Sequence, residues 1–529
     1  MAEEGQISSK KVALILIAIY LFTLFLSLYV INNNFSIYHH ELRNILFSTN
    51  LTELRHIFLN PQPNLPFIFP TLLFNIFSPS LNIALIQNHI LLAIFIISNY
   101  KLGKRLFNQR VAILSTFIST TVPLFFGFHR TFSYKFASLA FIPLLTLILI
   151  KTNGFKKKSE TVKFFLLLFF SINFSENILI SIIPLLTFYI AYSYLKNPES
   201  VKNVFHNNKL IISLCAIIGI TILLNHPERI CGMLITSGCR PLPEMFQIIF
   251  SINLSRLFEN TNYLFSQFKP LYTFILVPSI IYFLYKTSKE KDFSKFLTSF
   301  MVITPILFLS TFLHKQHSIH ILSVLPFIVF TMAYSLDKLY LRIKDKKYLS
   351  KIFIIALILI FAINSIIISL NYDIYTPIVL NAQSNHYNGE IRYTRSNDYK
   401  EVFNKINSYE SPKIGIINGE LASKKFDPHW ATATEEQISF LQTLNMLRTP
   451  KKTEIKLHNT YENTTWIIEE KSFFEVESSA ESLIKNSDII FIAREKGTDN
   501  KEHYIEHDKL TKIEKLDYWD HEVISFHKE

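Results

Sequence analysis

Cysteine is nearly missing from this chain, with three in 529 residues. Three thiols cannot make a disulfide framework, so no covalent staple replaces a packed core. Glycine is sparse as well, at 11, and none of it forms the Gly-rich loop that cradles a nucleotide phosphate. His-Glu-x-x-His and the Gly-x-Ser-x-Gly elbow are also absent. Together these gaps argue against a nucleotide-dependent enzyme and against a hydrolase. Charge is thin too: 18% Asp, Glu, Lys and Arg, less than a soluble chain of this size carries.

What fills the space is apolar. Hydrophobic residues make up 49% of the chain, Phe alone numbers 49, and mean hydropathy is +0.26. Eleven runs are long enough to span or nearly span a hydrocarbon layer of ~30 Å. They cover roughly 12–31, 81–98, 111–127, 136–150, 163–174, 178–195, 210–225, 270–286, 296–313, 319–336 and 352–370. The first is long for a signal peptide and has no small-residue cleavage site, so it reads as a retained span. The chain is therefore expected to be a polytopic α-helical membrane protein of about eleven spans.

A net charge of +12 does not point to nucleic acid, because the basic residues sit in short loops between the apolar runs. With the N-terminus inside, the inner segments hold more than twice as many Lys and Arg as the outer ones before residue 370. That bias sets orientation. It holds loop by loop only if 163–174 and 178–195 are separate spans with Asn173 to Asn177 as a tight outer turn; one kinked helix is the competing reading. The expected result is an integral membrane protein, with the N-terminus cytoplasmic and the C-terminus outside. Heavy use of Ile, Lys, Asn and Phe fits an AT-rich bacterial genome, hence a bacterial inner membrane.

After Leu370 the composition turns polar. Strand-like runs at 413–418, 465–469 and 488–493 alternate with amphipathic helical patterns near 398–409, 435–446 and 480–485. Such alternation predicts a small soluble α/β domain over 372–529, outside the membrane, following a transmembrane domain over 1–371.

The first outer loop, 32–80, is the most informative stretch. It opens with Ser36-Ile37-Tyr38-His39-His40-Glu41, continues into two short amphipathic segments at 42–47 and 51–59, and then carries Pro61, Pro63, Pro66 and Pro70. A carboxylate at a membrane surface has a raised pKa and suits a base working near neutrality. The bland reading of Glu41 is a charge flanking the start of a surface helix. His39 and His40 titrate near neutrality and suit a base, a proton shuttle or a phosphate donor; plain interfacial histidines are the alternative. Adjacent residues rarely ligate one ion, so no metal site is assigned here, although a divalent metal is not excluded. His314, His317 and His320 recur every third residue but straddle a loop and a span start.

Tyr100-Lys101-Leu102-Gly103-Lys104-Arg105-Leu106-Phe107-Asn108-Gln109-Arg110-Val111-Ala112, followed by an apolar run to Pro123, resembles the GT-C class of membrane glycosyltransferases. The likeness is to the bacterial relatives of protein O-mannosyltransferases and to the lipid A aminoarabinose transferases. Lys315-Gln316-His317-Ser318-Ile319-His320 with Pro326 resembles the basic stretch before a late span of that family. The resemblance covers roughly 10–370, mostly as a pattern of spans and loops. It implies transfer of a sugar from a polyprenyl-phosphate donor to an extracytoplasmic lipid, glycan or protein acceptor. It places the family's acidic pair on His40-Glu41, with His where the family has Asp, and Ser133-Tyr134-Lys135 where many members have a further Asp.

On that reading Glu41 and His40 are the catalytic candidates. His39, Arg130, Lys135, Lys315 and His320 are the candidates for binding substrate, the cations holding phosphate. For each cation the competing reading is snorkelling at a helix end. No cofactor is expected, since a lipid-borne donor needs no nucleotide cradle. The departure at His40 also motivates a second class of function, a catalytically silent scaffold or lipid-binding partner. A further envelope-polysaccharide protein ranks below both, because nearly all charges lie in loops. Glu176 reads as a turn residue or a cavity acid, Cys231 and Cys239 as a pair for an oxidising compartment, and Cys215 as packing.

Overall fold

A computed structural model describes residues 7–33, 65–77, 81–130, 134–175, 177–196, 269–290, 292–312 and 322–370, and six strands beyond residue 412. Twelve α-helices fall in the described residues. They are α1 (Ser9–Asn33), α2 (Leu65–Ile76), α3 (Leu81–Leu106), α4 (Gln109–Thr121), α5 (Pro123–Arg130) and α6 (Ala137–Lys151). There follow α7 (Lys158–Phe174), α8 (Ile178–Lys196), α9 (Lys269–Glu290), α10 (Phe293–Phe312), α11 (Leu325–Ile343) and α12 (Lys347–Leu370). The chain divides into two compact units: 1–30, 51–69 and 85–394 form one, and 31–50, 70–84 and 395–529 the other.

Four helices among the described residues are long and apolar enough to cross a membrane, and five if α4 and α5 count as one bent span. These are fewer than the eleven expected. The run 210–225 lies outside the described residues, while α6 and part of α10 are apolar but shorter. Helices α7 and α8 are separate, as the charge pattern requires, with Ser175 extended between them. Leu14, Ile17, Leu21 and Phe25 on α1, and Ile352, Ile355 and Ile358 on α12, point outward and are exposed. Apolar rows facing away from a protein core are expected where lipid is the solvent. The protein is an integral membrane protein.

The first unit is a helical bundle with a Phe-rich core. Phe107 packs on Phe283, Phe330 and Tyr334, with ring centroids 5.6 to 6.0 Å apart. The motif at 100–112 has a local reason to exist. Asn108 caps α4, its Oδ1 accepting from Val111 N at 2.9 Å. Its Nδ2 donates to Asp337 Oδ2 at 3.0 Å, and Arg110 Nε donates to Asp337 Oδ1 at 2.8 Å. One buried carboxylate on α11 thus ties down the α3–α4 corner. Ahead of that corner Gly103 lets α3 approach α4 closely, since a Cβ there would stand 2.9 Å from Ala112 Cα.

The predicted run 111–127 is not one straight helix. Pro123 has no N–H to continue the ladder, so the chain breaks at Val122 and α5 leaves at 63° to α4. The Thr121 carbonyl at the break accepts from Tyr272 Oη on α9 and from Ser365 Oγ on α12, the latter at 3.4 Å. Two helices distant in sequence therefore pin the bend.

In the second unit six strands form one sheet: β1 (Lys413–Asn418), β2 (Glu454–Asn459), β3 (Glu475–Val476), β4 (Ile489–Glu495), β5 (Leu510–Tyr518) and β6 (His521–Lys528), in the order β3-β2-β1-β4-β6-β5. The first four are mutually parallel, and β6 and β5 close the edge as an antiparallel hairpin. The apolar runs of β1 and β4 lie side by side at the centre, as parallel strands with near-continuous hydrophobic sequence should. The runs 413–418 and 488–493 were legible as strands, and β2, β3, β5 and β6 were not. The strand predicted at 465–469 and the helices near 398–409 and 435–446 lie outside the described residues.

Candidate functional site

Helix α1 rises to its C-terminal end, α3 starts at that same end and runs back, and α4 returns to it before the bend. Ser27, His89 and the last turn of α5 therefore meet at one end of the bundle. Ser27 Oγ lies 2.7 Å from His129 Nδ1, and His129 Nε2 lies 3.2 Å from His89 Nδ1. Asn88 Nδ2 donates to the carbonyls of Phe128 and His129 at 3.4 and 3.1 Å, holding the last turn of α5 against α3. Rings of Phe125 and Phe136 wall His129 at centroid distances of 6.3 and 5.3 Å. Ser27 and His129 are fully buried and His89 is half-buried.

Arg130 follows immediately. Sequence placed it in an outer loop, where snorkelling into water was its ordinary explanation. It is instead the last residue of α5 and only 6% exposed. Its guanidinium stacks over Phe126 at 4.5 Å, a cation–π contact. The physical cause is the bend: the 63° turn folds the end of the apolar run back into the bundle rather than letting it emerge. A buried guanidinium in a low-dielectric setting is an expensive group unless it is partnered. Lys135 stands in a 3-10 turn (Tyr134–Phe136), half-buried, with its carbonyl capped by Ser138 Oγ at 2.8 Å.

Of the residues proposed from sequence, Arg130 and Lys135 are the two described, and they flank one short loop. His39, His40, Glu41, Lys315 and His320 lie outside the described residues, as do Glu176, His314, His317 and the three cysteines. Among the described residues no group of three His, Cys, Asp or Glu side chains is placed to hold a metal ion. Ser27, His89 and His129 were missed. The available signal was their polarity inside apolar runs, where a lone His is costly unless partnered.

No protein-family model matches the chain, and no curated protein matches it in sequence. Solved structures do match in fold. The crystal structure of ArnT from Cupriavidus metallidurans bound to undecaprenyl phosphate superposes with a TM-score of 0.56 at 11% identity, covering 98% of each chain. The oligosaccharyltransferase AglB from Archaeoglobus fulgidus, in complex with an inhibitory peptide and a dolichol-phosphate, matches more loosely. Its TM-score is 0.40 at 14% identity, over 80% of this chain and 63% of that one. The likeness to the first of these runs from end to end. The fold of this chain is similar to that of ArnT.

Proposed function

We propose that this protein is a glycosyltransferase that moves a sugar from a polyprenyl-phosphate donor to an acceptor outside the cytoplasm, whether lipid, glycan or protein. The observation that carries the reading is the end-to-end likeness to a protein crystallised with undecaprenyl phosphate. The buried Arg130 at one end of the bundle is the independent support. On this reading some eleven spans lie in a bacterial inner membrane, with the N-terminus cytoplasmic. Residues 372–529 then form a soluble domain on the outer face.

The chemistry asks little of the protein beyond position and charge. Glu41 takes the proton of the acceptor hydroxyl or amine. The acceptor atom then bonds the anomeric carbon as the bond from that carbon to the phosphate oxygen breaks, and the phosphate leaves with the electron pair. Arg130, with Lys315 and Lys135, holds the departing charge, where preorganised cations are worth most. His40 is the second catalytic candidate beside Glu41, and His39 and His320 are candidates for binding substrate. No nucleotide, nucleic acid or cofactor enters. The test is transfer from a radiolabelled polyprenyl-phosphate sugar by protein in nanodiscs. Glu41→Gln should lower turnover by at least ~100-fold, the scale of a lost general base; unchanged turnover would sink the assignment.

A second reading, a catalytically silent scaffold on the same fold, is favoured by His40, where the resemblance has Asp. His40→Asp separates the two. A gain in transfer points to a weakened enzyme, and indifference to a different use of the fold.

A further inference from the structure

The buried Ser27–His129–His89 chain has a direction, which follows from where its one unpaired donor sits. Among the described residues Ser27 makes one polar contact, with His129 Nδ1 at 2.7 Å. It differs in this from Thr23, one turn earlier, whose hydroxyl is spent on the Ile19 carbonyl at 2.8 Å. A buried hydroxyl wants an acceptor for its proton, so Ser27 donates and His129 Nδ1 accepts. His129 then carries its proton on Nε2 and donates across 3.2 Å to His89 Nδ1. His89 in turn carries its proton on Nε2. Either assignment leaves one donor unpaired: the reverse strands it on the Ser27 hydroxyl at full burial, whereas this one carries it to His89, which is only half-buried and where a ligand can accept it.

The chain therefore ends in an N–H at His89 Nε2, which is buried and has no hydrogen-bond partner among the described residues. Burying such a group is costly unless something accepts from it. It sits on α3 one residue beyond Asn88, the residue that ties the last turn of α5 to α3. Arg130 ends that same turn.

We propose that His89 Nε2–H is a dedicated donor to a phosphate oxygen, with Ser27 and His129 as positioning residues that fix its tautomer. This rests on the proposed function, whose substrate supplies that oxygen on a lipid. A free phosphate has the same chemistry, and the experiment separates the two.

Binding is measured on full-length protein in nanodiscs with three probes: undecaprenyl phosphate, undecaprenol lacking the phosphate, and inorganic phosphate. His89→Leu should weaken undecaprenyl phosphate roughly 10- to 100-fold, the worth of a hydrogen bond to a charged group, and leave undecaprenol unchanged. His89→Gln, whose amide nitrogen falls near the imidazole Nε2, should recover most of the loss, whereas His89→Asn should not. Ser27→Ala should lose affinity in the wild-type background and nothing further in the His89→Leu background. 15N spectra of labelled histidine should show the Nε2–H tautomer at His89.

Inorganic phosphate competing at millimolar concentration, in wild type but not in His89→Leu, would identify the headgroup alone as the recognised element. Equal affinity of wild type and His89→Leu overturns the proposal while leaving the transferase reading intact, as does equal loss for phosphate and alcohol. If wild type binds no undecaprenyl phosphate at all, the transferase reading falls first and this proposal with it.

Discussion

Replacing Gly103 by alanine sets two terms of opposite sign against each other. In a helix interior, alanine is favoured over glycine by about 1 kcal/mol. Against that, the new methyl would meet Ala112 Cα and Phe330 Cε1 at 2.9 Å each, and Ala112 Cβ at 3.2 Å. Carbon atoms sit comfortably at about 3.5–4.0 Å, so something must move by more than half an ångström. The Phe330 ring is a side chain, yet it packs against Phe107 and Phe327 at 6.0 and 6.2 Å and has little room to swing. Ala112 Cα is backbone, held by the Asn108 cap and by the tie of Arg110 to Asp337. Overpacking of this kind costs about 1–3 kcal/mol. The packing term wins, and Gly103→Ala should be destabilising by about 1 kcal/mol net. Thermal unfolding in detergent micelles, followed by near-UV circular dichroism, measures it. Ala112→Gly in the same chain relieves only the 3.2 Å contact and itself costs about 1 kcal/mol of helix propensity, so it should not restore the lost stability. A raised melting midpoint for Gly103→Ala would show that the α3–α4 approach is not limited by backbone contact, and the reasoning would be wrong.

Tyr272→Phe removes one of two side-chain donors to the Thr121 carbonyl. It should cost about 1 kcal/mol, and adding Ser365→Ala should cost more than the two single changes together. If α5 is aimed by this bend, Tyr272→Phe should also lower kcat/KM for transfer without changing the donor's chemistry; equal kcat/KM would detach the bend from function. The hydrogen bonds from Lys295 at 2.9 Å and Lys286 at 3.1 Å hold the Glu290 carboxyl below its ordinary value of 4.5. A depressed folded pKa stabilises the protein above the unfolded value and loses that contribution as pH falls through the lower folded value. Glu290 is more than a third exposed, so screening keeps the effect below about 1 kcal/mol. Glu290→Gln should flatten that acid limb in a pH series of melting midpoints, and high salt should shrink the difference.

The sequence was most informative where physics is local. Apolar length marked α1, α3, α8 and α12, and the loop charges separated α7 from α8. The motif around Gly103 was recognisable before its cause, a close helix crossing, was visible. Pro123 was in view as the end of a run, but the 63° bend depends on Tyr272 and Ser365 supplying donors from far along the chain. Burial of Arg130 follows from that bend and could not be read from its neighbours. Ser27 and His129 meet across 102 positions, and His89 and His129 across 40. Nothing in the spacing of three isolated polar residues announces such a meeting. Along β2 four of the six residues Glu454-Ile455-Lys456-Leu457-His458-Asn459 are polar, so no apolar run marks the strand that pairs with β1.

The central claim is that one end of this bundle receives a lipid phosphate. A cryo-electron microscopy structure of the protein in nanodiscs with undecaprenyl phosphate tests it most directly. The expected density places the phosphate at the end shared by Ser27, His89 and Arg130, within about 4 Å of the Arg130 guanidinium or the His89 ring, a distance typical of charged contacts. Phosphate density at the opposite end of the bundle, or an unchanged map at saturating lipid, would contradict it.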